Sequence, residues 1–207
     1  MISRIVFNNV SLNFTTKIFD TLNVELRSGK IIAITGVNGS GKSTFLKLAG
    51  QFIQPDEGSI TAFEDDKIIN RVDFRKKIAV IAPNLNLYSE LTAVENLKFF
   101  VGLRNITLSD QNINDLFSRV EIDTINKYKF IKTFSTGMIQ RLKFAILLAI
   151  NADIWLLDEP CSNLDIDGKK IFLNEIKSAA KDKLILIATN DIDEAKISDE
   201  IISLPIN

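Results

Sequence analysis

One stretch narrows the folds open to this chain more than any other: "IIAITGVNGSGKSTFLKLAG", residues 31–50. The apolar run 31–35 reads as a buried strand. A loop follows, Gly36-Val37-Asn38-Gly39-Ser40-Gly41-Lys42-Ser43-Thr44, and then a helical segment ending at Gly50. A strand before and a helix after are the context that G-x-x-x-x-G-K-[ST] requires. They set it apart from a Gly/Ser-rich loop with a chance lysine. Gly39 and Gly41 let the backbone turn so that successive N–H groups converge on an anion. The helix starting near Lys42 adds its positive end. Lys42 is expected to reach the β- and γ-phosphates of a nucleoside triphosphate such as ATP, and the Ser43 hydroxyl to ligate Mg²⁺. Gly36, Asn38, Ser40 and Thr44 complete the expected nucleotide-binding set.

A second strand, "IWLLDEP" (154–160), ends in two carboxylates. A carboxylate at the end of a buried strand is costly unless it is paired or bound to metal. Asp158 is the candidate second Mg²⁺ ligand, opposite Ser43. Glu159, one step further out, is the candidate general base for an attacking water. Two surface acids at a strand end would look the same in isolation; the upstream loop favours the catalytic reading.

The rest of the chain reads as α/β. "RIVFNNVSLNF" (4–14) and "IFDTLNVEL" (18–26), with a turn at 27–30, predict a small antiparallel piece. A turn at 55–58 and a buried strand at 76–82 follow. From about 84 to 134 helical periods take over, with Thr92 and Ser109 as N-caps, so a helical lobe is expected to be inserted there. The core resumes with a helix (137–150), a strand (153–159), a helix (167–181), a strand (184–188), a short helix from Asp191 and a strand (200–204). Apolar strands alternating with helices predict a mainly parallel sheet covered on both faces, a P-loop NTPase core. Trp155 is expected in the core. Arg71, Arg75, Lys76 and Lys77 are expected to form a solvated face.

At 207 residues the chain fits one domain, 1–207, carrying that lobe. A net charge of −1 gives no basic excess, so no nucleic-acid partner is expected. The single cysteine, Cys161, excludes an internal disulfide, suits a reducing compartment and reads as a small filler. The start lacks the features of a signal peptide, and the longest apolar stretch, 144–150, is far short of the roughly 20 residues of a spanning helix. No membrane crossing by this chain is expected.

The segment "FSTGMIQRLKFAILLAINADIWLLDEPCSNLD" (134–165) closely resembles the signature-to-D-loop region of ATP-binding-cassette (ABC) ATPases. The signature position reads Phe134-Ser135-Thr136-Gly137-Met138, followed by Gln140-Arg141; the D-loop reads Ser162-Asn163-Leu164-Asp165. The resemblance covers essentially the whole chain and leans to small exporter-type, haem-exporter-like cassettes. It implies that two such subunits, identical or not, pair head to tail around two MgATP. Ser135 and Gly137 would then contact nucleotide in trans, from a helix beginning near Met138, and Asp165 would couple the two sites. Phe14 falls where the family has an aromatic that stacks on adenine; otherwise it is a strand-end core residue. The implied function is ATP hydrolysis that drives a transmembrane subunit on a separate chain, at the cytoplasmic face of a membrane. Translation-type relatives with two cassettes in one chain, and repair-type relatives with a long coiled coil, fit less well.

Three positions depart from the family pattern. Pro83 stands where the glutamine of the loop into the helical lobe is usual; Asn84 or Asn86 can take that role at shorter reach, and Pro83 can fix the bend of the loop. Thr136 and Met138 vary the signature while Ser135 and Gly137 remain. The family's switch histidine is replaced by Asn190, in a chain without histidine. Asn190 contacts the γ-phosphate and attacking water as a catalytic residue, N-caps the next helix, or does both. The alternative function is therefore a slow or non-hydrolysing module that dimerises on nucleotide.

Overall fold

In the computed structural model, which describes residues 1–14 and 17–205, the glycine loop leaves a buried inner strand of a five-stranded sheet. That strand, β3 (Lys30–Gly36), lies between β8 (Leu184–Ala188) and β9 (Glu200–Leu204). β7 (Ile154–Asp158) pairs with the other edge of β8, and β6 (Ile78–Ile81) flanks β7. The pairs β3/β8, β3/β9 and β7/β8 are all parallel. All five residues of β8 and the first four of β7 are buried, including Trp155. Strands covered on both faces need such unbroken apolar runs, which is why these segments do not alternate.

The N-terminal antiparallel piece is larger than expected. β1 (Ile2–Asn13) pairs with β2 (Lys17–Arg27) on one edge and with β4 (Glu57–Glu64) on the other, and β5 (Lys67–Ile68) adds a short fourth strand. The apolar side of this sheet and the helix after the loop, α1 (Lys42–Ala49), share one core with the parallel sheet. Phe7 stacks on Phe45 of α1 at 5.1 Å between ring centroids, and Phe19 meets Phe45 edge-on. Each such fully buried ring contributes roughly 1.5–3 kcal/mol, so this core anchors α1 and the loop that precedes it.

The chain divides into two compact units. The first comprises Met1–Val80, Ala152–Glu159 and the chain from Lys177 on; the second comprises Ile81–Asn151 and Pro160–Ile176. The segment 84–134 lies within the second unit, joined there by α5 (Thr136–Ile150), because α3 (Ala93–Gly102) and α4 (Asp110–Arg119) both pack on α5. α6 (Ile166–Ala179) contributes Phe172, whose ring stacks on Phe144 at 3.9 Å. Thr92 and Ser109 cap α3 and α4 as expected, each through a reciprocal capping box with Glu95 and Asn112. Asn96, with no exposed surface, bonds to Tyr88 N, Tyr88 O, Leu91 O and Thr92 O and so fixes the loop before α3.

Of the basic cluster only Lys76 is exposed as expected; Arg71, Arg75 and Lys77 are half-buried and turned inward. α2 (Arg71–Lys76), a helix absent from the sequence reading, turns Arg71 and Arg75 onto the carbonyl of Gln51, just past the end of α1. Lys77 bonds Glu64 and lies 3.5 Å from Asp153. The cause is the C-terminus of α1, whose unsatisfied carbonyls and negative dipole end attract guanidinium groups.

Candidate active site and signature segments

In the first unit the phosphate-binding candidates converge on the carboxyl ends of β3, β7 and β8, the edge where ligands of open α/β sheets sit. Gly39 and Gly41 take φ of 86° and 98°, conformations that suit glycine. A Cβ on Gly41 would stand 2.8 Å from Ile18 Cγ2, so the loop has no room for a larger residue there. Gly41 is also the N-cap of α1 and offers no side chain to its first turn. The N–H groups of that turn are left for an anion. Lys42 is buried, and its ammonium donates to the carbonyls of Gly36 (2.8 Å) and Val37 (3.2 Å). The loop thus holds its own lysine over its mouth. The Ser40 hydroxyl is buried and has no hydrogen-bond partner. An orphaned hydroxyl inside a cradle of N–H groups fits a phosphate oxygen. Ser43 is exposed and Thr44 half-buried on the first turn of α1.

Asp158 ends β7 half-buried. Glu159 follows in a left-handed conformation, φ 49°, its N–H donating to Ala188 O at 2.9 Å and its side chain exposed. Oxygen donors of the Ser43 and Asp158 type suit Mg²⁺, which takes much of its shell from water and phosphate. No cluster of three or more His, Cys, Asp or Glu that could cage a metal exists among the described residues, in keeping with so sparse a donor set.

Asn190 is exposed at the tip beyond β8, and it does not cap the next helix. Asp191 does: its carboxylate accepts from Asp193 N (2.8 Å) and Glu194 N (3.2 Å) at the start of α7 (Ile192–Lys196). With the cap filled one residue later, the Asn190 amide is free to point elsewhere, and its Nδ2 donates to Asn38 Oδ1 in the glycine loop at 2.7 Å. Phe14 is 64% exposed, which removes its reading as a core residue and leaves its ring open to a base.

In the second unit the signature opens α5. Ser135 is the N-cap, its Oγ accepting from Met138 N at 3.2 Å, and the helix starts at Thr136, one residue before the expected 137–150. Gly137 faces the D-loop so closely that a Cβ would lie 2.9 Å from Asn163 O. Gln140 is buried and donates to Pro160 O at 2.6 Å. Arg141 reaches Val120 O, Glu121 and Asp165. Pro83 sits at the second position of a turn closed by Leu85 N to Ala82 O at 3.1 Å, where proline's fixed φ suits the bend. Asn84 and Asn86 are exposed beside it. Cys161 is buried.

Lys143 was not singled out by the sequence. It is buried on α5, and its ammonium donates to Ala82 O, the residue before Pro83, at 3.2 Å. Burial pushes its amine below the ordinary lysine value. Lys143, Gln140, Pro83, Asn86, Ser162 and Asn163 line one cleft of about 420 Å³. A lone lysine in the apolar run of α5 carries no motif, so only the fold reveals it.

Known proteins resemble this chain over most of its length. The family model described as "ABC transporter" matches residues 19–162. The ABC transporter ATP-binding protein YybJ of Bacillus subtilis is 34% identical over 201 residues, covering 95% of this chain and 91% of YybJ. The sulfate/thiosulfate import ATP-binding protein CysA of Mesostigma viride is 29% identical over 96% of this chain, which spans only 58% of CysA. Among solved structures, the ATP-binding cassette MJ0796, in a dimeric post-hydrolysis state bound to ADP and Pi, superposes with a TM-score of 0.84 over 97% of this chain and 94% of that one. Its 24% identity makes this a likeness of fold. No helix among the described residues is long and apolar enough to cross a membrane.

Proposed function

This chain belongs to the ABC transporter family, as an ATP-binding cassette of the ATP-hydrolysing type, and on that premise we propose that it is a motor subunit that closes with a second cassette, identical or related, around two MgATP. It drives a membrane-spanning subunit on another chain, from the cytoplasmic face of the membrane. The observation that carries this reading is the glycine loop itself, with positive φ at Gly39 and Gly41, a buried Lys42 over the mouth and an orphaned Ser40 hydroxyl.

The roles follow the chemistry of each group. N–H groups from Gly36 to Thr44 cradle the phosphates, Lys42 neutralises the β- and γ-phosphates, and Phe14 stacks on the base. Ser43 and Asp158 hold Mg²⁺, which when bound offsets the charge gathering on the phosphates. Glu159 takes a proton from the water whose oxygen attacks the γ-phosphorus as the bond to the ADP oxygen breaks. Asn190 orients that water or the γ-phosphate through a neutral amide. Ser135 and Gly137 meet the nucleotide bound to the partner cassette, and Asp165 couples the two sites. A slow, purely regulatory clamp is not favoured: Asn190 replaces the usual histidine, but the acid pair, the loop and the signature serine and glycine are all retained.

Steady-state ATP turnover of the purified chain, alone and with its membrane partner, tests this reading. Glu159→Gln is expected to lower the rate at least about 100-fold. Background turnover in both proteins, with the partner present, would overturn it.

A further inference from the structure

We propose that Asn38 is a positioning residue for Asn190, so that hydrolysis in this cassette depends on an amide–amide pair bridging the glycine loop and the switch segment. The inference rests on the reading of Asn190 as a γ-phosphate or water contact and adds a second residue to it.

The backbone of the switch segment is pinned on both sides of Asn190. Thr189 is buried; its N–H donates to Ile34 O of the P-loop strand at 3.0 Å, and its Oγ1 accepts from Asp191 N at 2.8 Å. Asp191 in turn is committed to capping α7. The Cα of Asn190 is therefore well placed while its side chain is exposed. A 2.7 Å bond from Asn190 Nδ2 to Asn38 Oδ1 orients it.

On the other side of the bond, Asn38 sits at the exposed tip of the loop, between Val37, whose carbonyl holds both Ser40 N and Lys42 Nζ, and the Gly39 turn. The bond uses one amide hydrogen of Asn190 and one lone pair of Asn38. It leaves the Asn190 carbonyl and its second amide hydrogen for nucleotide and water. Orientation matters here because an amide, unlike an imidazole, has distinct donor and acceptor ends that cannot exchange by moving a proton. Rotated by half a turn, Asn190 would present a carbonyl where the γ-phosphate needs a donor. With Asn38 presenting Oδ1, Nδ2 is the end of Asn190 that faces it, and the reverse pairing requires both amides to turn together. Catalytic contacts misplaced by an ångström lose rate steeply.

A double-mutant cycle on ATP turnover tests the pair, with Asn38→Ala, Asn190→Ala and the double variant assayed as full-length chains, kcat and KM separated, and nucleotide affinity measured by direct titration. Asn38→Ala and Asn190→Ala are each expected to lower kcat about 3- to 10-fold with KM and affinity within about twofold, and the double variant to fall no further than Asn190→Ala alone. A rise in KM at unchanged kcat for Asn38→Ala would make Asn38 part of the phosphate cradle only and overturn the pairing. Losses that multiply in the double variant would overturn it as well. If Asn190→Ala itself turns over normally, the underlying reading of Asn190 fails, and the pair with it. If Asn190→Ala is slow and Asn38→Ala is normal, only the pairing fails.

Discussion

Arg141 on the signature helix donates from Nη2 to Asp165 Oδ1 in the D-loop at 3.0 Å. The same oxygen accepts from Gly168 N at 2.9 Å, in the first turn of α6. The carboxylate proposed to couple two ATP sites is thus already held within its own chain, by the arginine that follows the signature. Arg141 carries more than this bond: its other nitrogen reaches Val120 O and Glu121 Oε2, so one guanidinium ties three segments of the second unit.

The bond from Gly168 N, and then the charge of Arg141, hold the Asp165 carboxyl below its ordinary value of 3.8. A carboxylate with a depressed folded-state pKa contributes stability that is present above 3.8 and lost as pH falls through the lower folded value. Asp165→Asn keeps an acceptor oxygen but not the charge. It is expected to be less stable than the wild type by the same margin at pH 7 and pH 5, the gap narrowing only below pH 3.8. Urea unfolding across that range checks this; a gap that already changes between pH 7 and pH 5 would point to another group.

Gly137 is expected to resist replacement by alanine for a reason that helix propensity hides. Inside a helix, Gly→Ala normally stabilises by about 0.5–1 kcal/mol. Here the new Cβ would lie 2.9 Å from Asn163 O, a backbone atom with no flexible end to yield. The D-loop must shift instead. Gly137→Ala should cost at least tenfold in ATP turnover while the melting temperature moves by only a few degrees. Full turnover in this variant would show that the spacing of signature and D-loop does not matter to catalysis.

The glycine loop, the acid pair, the signature and the N-caps Thr92 and Ser109 are readable because each is written in contiguous residues with a local physical cause. What was not readable depended on distant backbone groups. Asn190 reads as a helix cap until Asp191 is seen to fill that place, a choice made by the turn at Thr189. Arg71 and Arg75 read as a solvated face because their acceptor, Gln51 O, is 20 and 24 residues away and acts only once α1 has ended. β4 is hidden in the sequence because "EGSITAFE" is half exposed and lacks clean alternation. Lys143 was missed because its partner is a carbonyl, and carbonyls leave no trace in a sequence.

The two arginines make a stability prediction of their own. Arg71 donates to Gln51 O from Nε (2.9 Å) and Nη2 (2.6 Å), and Arg75 adds a third bond to the same oxygen. Cations at a helix C-terminus and charge-assisted bonds to its last carbonyls both favour the fold. Arg71→Ala or Arg75→Ala should each cost about 1 kcal/mol, a drop of roughly 2–4 °C in Tm for a chain of this size. The Gln51 oxygen is shared, so the double variant should lose more than either single one. A thermal scan with no shift in any variant would mean that water replaces the guanidinium groups without loss.

Lys143 supplies a prediction whose direction runs opposite to that of Asp165. Burial lowers its amine below the ordinary 10.5, so between the folded value and 10.5 the unfolded chain holds a proton that the folded chain has shed. Stability then rises with pH across that window and levels off above it. Lys143→Met keeps most of the stem's volume and removes the titrating group along with the bond to Ala82 O. The stability of the wild type should therefore climb relative to Lys143→Met as pH is raised from neutral to 10.5, whichever of the two is the more stable at pH 7. Parallel curves in chemical denaturation at pH 7, 9 and 10.5 would sink the idea. They would mean that the ammonium is already hydrated through the cleft it lines, and that the turn at Pro83 keeps its shape without it.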